Sequence, residues 1–239
     1  MLPLLGLLLG AGIGSFINVL AARTVAGKSI ILPRSFCDVC AKPLWSRDMI
    51  PVVSFFLRRA RCRFCRAKIS WQYPVIEGAT AVLFALAAVR VGNFDWQLLA
   101  YWVAITALVA LFLTDLRAMV LPDRITIPAI VVLLAIDLFA LKYSIVTLGS
   151  AILVGAGFFL AQYLLSRGTW VGSGDIRMGL LMAAALRSPL KVGLAIMIAY
   201  VVGAAIALFL VATRKKSLKS EIPLGTFLAI GTIAALLFV

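Results

Sequence analysis

Residues 96–115 read WQLLAYWVAITALVALFLTD, nineteen residues without a charge closed by an aspartate. A helix needs about 20 residues to cross the hydrocarbon of a bilayer, and this stretch is long enough. It lacks the alternation of a strand, and a spanning segment must satisfy its backbone groups internally. It is therefore read as a transmembrane helix, and the reading extends outward. Further apolar runs occupy residues 2–22, 72–89, 125–141, 145–165, 192–213 and 222–239, with Glu77 and Asp137 the only charges inside them. Residues 172–190 contain Asp175, Arg177 and Arg187 and are less plain.

Composition agrees. Of 239 residues, 64% are hydrophobic and 13% charged, with a mean hydropathy of +1.11. A soluble domain carries about 45–50% and about 25%, so that class is excluded, as are disorder, collagen and a secreted disulfide scaffold. There is no histidine. Ser-His-Asp chemistry, Cys-His chemistry and His-ligated metals are thereby removed, leaving four cysteines and nine carboxylates to carry any reaction.

Counting residues 172–190 as a crossing gives eight helices. The loops on one side then hold 19 of the 23 Lys and Arg residues, leaving Arg90, Lys142, Arg187 and Lys191 on the other. Basic loops stay in the cytoplasm; a re-entrant 172–190 would instead put the Arg214, Lys215, Lys216 and Lys219 cluster outside. No basic residue precedes Arg23, so the first run reads as a retained helix with its N-terminus outside rather than a signal peptide. The expected fold is an all-α integral membrane protein of about eight transmembrane helices. Its parts are a first helix (1–27), a cytoplasmic basic loop (28–71) and a seven-helix membrane domain (72–239). The formal charge of +14 is concentrated in that loop, where ten basic residues accompany Asp38 and Asp48. Such a loop attracts anionic headgroups by about 1 kcal/mol per residue near the surface. No stacking platform or groove-reading helix accompanies it, so the lipid bilayer is the expected partner and nucleic acid is not.

All four cysteines lie in the loop, as Cys37-Asp38-Val39-Cys40 and Cys62-Arg63-Phe64-Cys65. Two CxxC turns offer four thiolates to one tetrahedral zinc ion, and a reducing cytoplasm keeps them available. With four protein ligands the site is closed and structural, and zinc would supply much of the loop's folding free energy. Free or disulfide-bonded cysteines, or a redox pair, are the competing readings.

Carboxylates inside a membrane domain are costly and point to function. Asp137 lies near the outer end of its run and Lys142, as a snorkelling or packing residue would. Asp123 follows Pro122 at a helix start and reads as an N-cap; Glu77 suits a helix N-terminus. Asp115 and Asp175 differ. Asp115 closes its run, Asp175 closes Gly172-Ser173-Gly174-Asp175, and both fall at one depth on separate helices. Two adjacent carboxylates cannot both ionise, so one keeps a proton while the other activates water. That is aspartic peptidase chemistry. Arg177 is within reach of Asp175 if its side chain turns back.

Several segments together carry a family resemblance. They are Gly14-Ser15-Phe16-Ile17-Asn18-Val19, Pro33-Arg34-Ser35-Phe36-Cys37, Leu57-Arg58-Arg59-Ala60-Arg61-Cys62 and Ile69 through Glu77. Asp115 with Leu121-Pro122-Asp123, the Gly172–Asp175 motif and Ile222-Pro223-Leu224-Gly225-Thr226-Phe227-Leu228-Ala229 complete the set. In order and over nearly the whole chain, they resemble the type IV prepilin leader peptidases. The resemblance implies a peptidase of the bacterial inner membrane that cuts the basic leader from prepilins and pseudopilins at the cytoplasmic face, serving pili or type II secretion. It makes Asp115 and Asp175 the catalytic pair. It also implies methylation of the new N-terminus with S-adenosylmethionine, whose site has no readable glycine-rich loop. Three positions depart from the pattern. Arg177 replaces a usual lysine, Thr226 a common proline, and Thr24-Val25 a Leu-Pro. A proton-coupled transporter or an inactive scaffold of a pilus or secretion machine are the alternatives.

Overall fold

The computed structural model describes residues 1–30, 35–37, 39–213 and 222–239. Pro33, Arg34 and Asp38 of the loop, and the basic cluster Arg214, Lys215, Lys216 and Lys219, lie outside the described residues. Each apolar run forms a helix, residues 172–190 hold another, and the basic loop adds a short one. These are α1 (Leu2–Val25), the short α2 (Val53–Leu57), α3 (Gln72–Val91), α4 (Trp96–Ala118), α5 (Asp123–Ala135), α6 (Ile145–Leu165), α7 (Ser173–Leu186), α8 (Pro189–Ala212) and α9 (Leu224–Phe238). α5 continues into one π-helical turn, Ile136–Ala140. Two isolated bridges in the cysteine loop are the only β pairing among the described residues. Among the described residues five helices, α1, α3, α4, α6 and α8, are long and apolar enough to cross a membrane. α5, α7 and α9 have 13, 14 and 15 residues, or about 20 Å of helix each.

The chain forms two compact units, Met1–Phe94 and Asp95–Val239. In the first, α1 lies against α3 through Gly6, Gly10 and Gly14, one helical turn apart. A Cβ on Gly10 would lie 2.7 Å from the Ala81 Cα, and one on Gly14 2.7 Å from the Glu77 Cα. Glycine removes that obstruction and lets the backbones touch, which drives helix association where lipid supplies no hydrophobic force. Beside the seam the buried Asn18 donates from Nδ2 to the Gly14 carbonyl and accepts from Gln72 Nε2 at 3.0 Å. Glu77 is buried, and its Oε2 accepts the Val52 N–H at 2.7 Å, tying the loop to α3.

In the second unit α4 is the most enclosed helix, with 72% of its apolar window buried. It packs against α5, α7 and α9. α6 meets α7 where Gly155 and Gly179 face each other's backbone carbonyls, and α8 meets α9 at Gly231. Asp95 caps α4, accepting the Leu98 N–H at 3.0 Å. Two expectations need correction here. Asp123 is the first residue of α5, behind an N-cap at Pro122, and caps nothing. Its Oδ2 accepts from Arg177 Nη1 at 2.6 Å instead. Of the two readings of Asp137, snorkelling near Lys142 fails and packing holds. Asp137 is fully buried and ion-paired with Arg187 Nε at 2.6 Å. The widened π turn carries that carboxylate, consistent with such turns marking a local demand on the helix.

Gly10→Ala should lower the melting temperature of the detergent-solubilised protein, since overpacking a tight seam costs about 1–3 kcal/mol. Gly12, on the same helix with nothing within 4 Å, should tolerate alanine without loss. Equal melting temperatures for the two variants would refute the glycine seam.

Candidate active site and metal site

The cysteine loop is two copies of one turn. The Cys37 N–H donates to the Lys42 carbonyl and the Ala41 N–H to the Cys37 carbonyl; Cys62, Ala67 and Arg66 repeat the pattern. Ala41 and Arg66, each just after a second cysteine, both take φ 56°. This left-handed residue closes each turn and aims both thiols to one side. The four Sγ atoms all lie within 4.8 Å of one another, and none forms a disulfide. Cys37 and Cys65 Sγ are 3.8 Å apart. Backbone N–H groups of Cys65 and Phe64 draw the Cys62 thiol down to about 6, so it is ready to act as a thiolate. The Ala67 N–H lowers Cys65, but desolvation and the three neighbouring thiols outweigh it and push Cys65 up to about 11. Four mutually close sulfurs competing for protons form a cluster able to hold one metal ion.

In the second unit, three motifs that are distant in sequence meet at the end of α4. Asp115 sits in its last turn, 4% exposed. Its Oδ2 accepts the Thr226 N–H at 2.6 Å and the Thr226 Oγ1 hydroxyl at 3.0 Å. Gly225 makes this possible, because a Cβ there would lie 3.1 Å from the Asp115 carboxyl and 2.7 Å from Leu121 Cδ2. Leu121 reaches the GxGD motif too, 3.3 Å from where a Cβ on Gly174 would stand. Leu121 is thus a wedge between two glycines. Asp175, in the first turn of α7 and 9% exposed, turns back so that its Oδ2 accepts the Gly172 N–H at 2.9 Å. This contact holds the carboxyl at the helix start, where the dipole end is positive. Asp115 and Asp175 are near enough for their charges to interact. Each offers Oδ2 to a backbone N–H, and none of the described residues donates to Oδ1 of either.

Arg177 does not turn back to Asp175. It bridges Asp123 and Ser173 Oγ, joining the starts of α5 and α7 in an exposed pair. Exposed pairs contribute about 0–1 kcal/mol, so this one orients more than it stabilises. Thr226 stood out in the sequence only as a departure where proline is usual. Its importance is chemical, because proline has neither an N–H nor a hydroxyl to donate. Gln162 and Tyr200 were also missed. The Tyr200 hydroxyl donates to Gln162 Oε1 at 3.1 Å between α8 and α6. The available signal was a hydrogen-bonding side chain inside each of two apolar runs.

Comparisons with known proteins place the chain in a family. Residues 8–91 match the bacterial peptidase A24 N-terminal domain, and residues 102–210 match the type IV leader peptidase family. A prepilin leader peptidase/N-methyltransferase of Bacillus subtilis is 32% identical over 232 residues, covering 96% of this chain and 91% of that one. Proteins of the same description from Aeromonas hydrophila and Legionella pneumophila are each 32% identical and cover 88% and 87% of this chain and 73% of their own. No solved structure gives a significant match. By these matches, the chain belongs to the type IV leader peptidase family.

Proposed function

We propose that the protein is a membrane aspartic endopeptidase that removes the leader of prepilins and pseudopilins and methylates the N-terminus it creates. The observation that carries the peptidase reading is the Asp115–Asp175 pair, two buried carboxylates on separate helices with their Oδ2 atoms held and their Oδ1 atoms left undonated. Because Oδ2 is an acceptor on both residues, the shared proton belongs on an Oδ1. The ionised Oδ1 takes a proton from water as the hydroxyl oxygen bonds to the scissile carbonyl carbon. The protonated partner gives its proton to the carbonyl oxygen. Collapse of the tetrahedral adduct breaks the C–N bond, with a proton passing to the leaving nitrogen. The products are a leader ending in a carboxylate and a new amine. The pair titrates as a unit, so the two roles belong to the dyad.

The positive-inside bias of the loops supports eight crossings in the bacterial inner membrane, with the N-terminus outside and the cysteine loop and both aspartates toward the cytoplasm. In this reading residues 1–27, 28–71 and 72–239 are the first span, the metal loop and the peptidase domain. Zinc fits the cysteines. A tetrahedral ion with bonds of about 2.3 Å to sulfur has S···S edges of about 3.8 Å, the separation of Cys37 and Cys65. Cys37, Cys40, Cys62 and Cys65 would hold it, leaving no open position for chemistry. S-adenosylmethionine supplies the methyl group when bound. One cavity of about 200 Å³, lined by Gln97, Tyr101, Tyr143, Arg187 and Lys191, has no carboxylate for that donor's amine and ribose. That cavity does not fit the donor. A transporter is disfavoured because Asp137, the carboxylate toward the other end, is neutralised by Arg187.

Asp115→Asn and Asp175→Asn should each lower cleavage of a purified prepilin by about a thousandfold with unchanged membrane insertion, because each removes the acid–base group. Asp123→Asn, which loses only an exposed pair, should stay within a few-fold of wild type. Near-normal cleavage by either dyad variant would exclude that residue. Thr226→Val keeps the N–H and loses the hydroxyl, and should lower kcat about tenfold or more, since hydrogen bonds to charged groups contribute about 1.5–3 kcal/mol; Thr226→Ser should restore it. A Thr226→Val enzyme with normal kcat would remove Thr226 from the mechanism. Elemental analysis should find about one zinc per chain, as one closed site requires, and Cys37→Ser or Cys62→Ser should lose it together with thermal stability. Fully active protein purified without oxygen and without zinc would contradict the metal reading.

A further inference from the structure

α8 is almost entirely apolar. After Lys191, Tyr200 is its only hydrogen-bonding side chain before the helix ends at Ala212. That side chain is not buried in a helix seam. Tyr200 is 38% exposed, and its hydroxyl donates to Gln162 Oε1 on α6. The bond uses one acceptor and one donor. The two N–H groups of the Gln162 carboxamide and the lone pairs of the Tyr200 oxygen have no partner among the described residues. A polar pair with unused donors and acceptors on the exposed side of two helices long and apolar enough to cross a membrane is costly, and sealing two helices together would not require its exposure.

Its position is informative. Asp175 lies eleven residues before the end of α7 at Leu186, and Tyr200 eleven residues after the start of α8 at Pro189. At about 1.5 Å per residue, both sit about 16 Å from the turn that joins the two helices. The hairpin therefore brings them to one level, and their electrostatic interaction agrees with that placement. Between them the Tyr200 ring meets Phe158 at 6.0 Å between centroids, and Phe158 meets the buried Phe159 at 5.2 Å. Phe159 abuts Gly179, one turn beyond Asp175. A polar ledge thus stands across an aromatic floor from one candidate catalytic carboxylate.

A peptide bond inside a helix cannot be attacked until the helix opens there. In a bilayer, opening leaves backbone N–H and C=O groups unsatisfied, at several kcal/mol each. An enzyme cutting a membrane-inserted chain needs groups that take over those hydrogen bonds. Resting on the peptidase reading above, we infer that Gln162 and Tyr200 form a backbone-binding subsite beside Asp175. The carboxamide N–H groups receive a substrate carbonyl and the phenol oxygen a substrate N–H, holding the opened segment extended next to the dyad.

The test uses the full-length purified protein in detergent and a synthetic peptide with a basic leader ahead of an apolar helix. Tyr200→Phe and Gln162→Leu should each raise KM about fivefold or more, with kcat within about twofold and an unchanged melting temperature. A series of peptides N-methylated at single amides around the cut site supplies the second reading. At one amide, methylation should weaken binding to wild type but have no further effect on Tyr200→Phe. Unchanged KM in both variants, a lowered melting temperature with unchanged KM, or no loss of coupling at any amide would overturn the inference and leave the pair as a link between helices. Failure of wild type to cut the peptide would instead overturn the peptidase reading on which the subsite rests.

Discussion

The hydrogen bonds from Thr226 to Asp115 Oδ2 organise the second unit. A carboxylate in a membrane helix is tolerable only if its oxygens find donors. Here a donor pair comes from the start of α9, 111 residues along the chain. That contact requires Gly225, because any side chain there would strike the carboxyl or Leu121. Leu121 in turn lies against Gly174 of the GxGD motif, so the loop after α4, the start of α7 and the start of α9 converge. The geometry of the dyad therefore depends on two glycines and one leucine that carry no chemistry themselves.

The same rule governs the remaining buried charges, with different outcomes. Asp137 has a guanidinium partner, held between the rings of Tyr101 and Tyr143, and is spent on structure. Glu77 Oε2 accepts one N–H of the loop. Asp115 and Asp175 have no cation partner among the described residues, and each keeps an Oδ1 that none of them donates to.

Much of this was legible in the sequence, for identifiable reasons. Uncharged runs of about 20 residues announce helices without ambiguity, and the CxxC spacing fixes which thiols can share one ion. Asp115 and Asp175 were legible because charge in an apolar run is expensive. What the sequence could not convey was the direction of side chains. Asp123 looked like a cap because it follows proline at a helix start, yet Pro122 occupies the cap position and Asp123 pairs with Arg177. Asp137 was read as snorkelling or packing near Lys142; it packs, and its partner Arg187 is 50 residues away. Thr226 looked like a loss relative to proline, and only the fold revealed two donors aimed at a carboxylate. Gln162 and Tyr200 are unremarkable one at a time and acquire meaning only where α6 and α8 meet.

The central claim is that one shared proton on two buried carboxylates activates water. It is tested most directly by the pH dependence of kcat/KM for a membrane-inserted prepilin cut by the purified protein. Activity should fall on both sides of an optimum, because the pair works only when singly protonated. A rate that rises or falls along one limb only, with protein and substrate intact throughout, would contradict a shared-proton dyad.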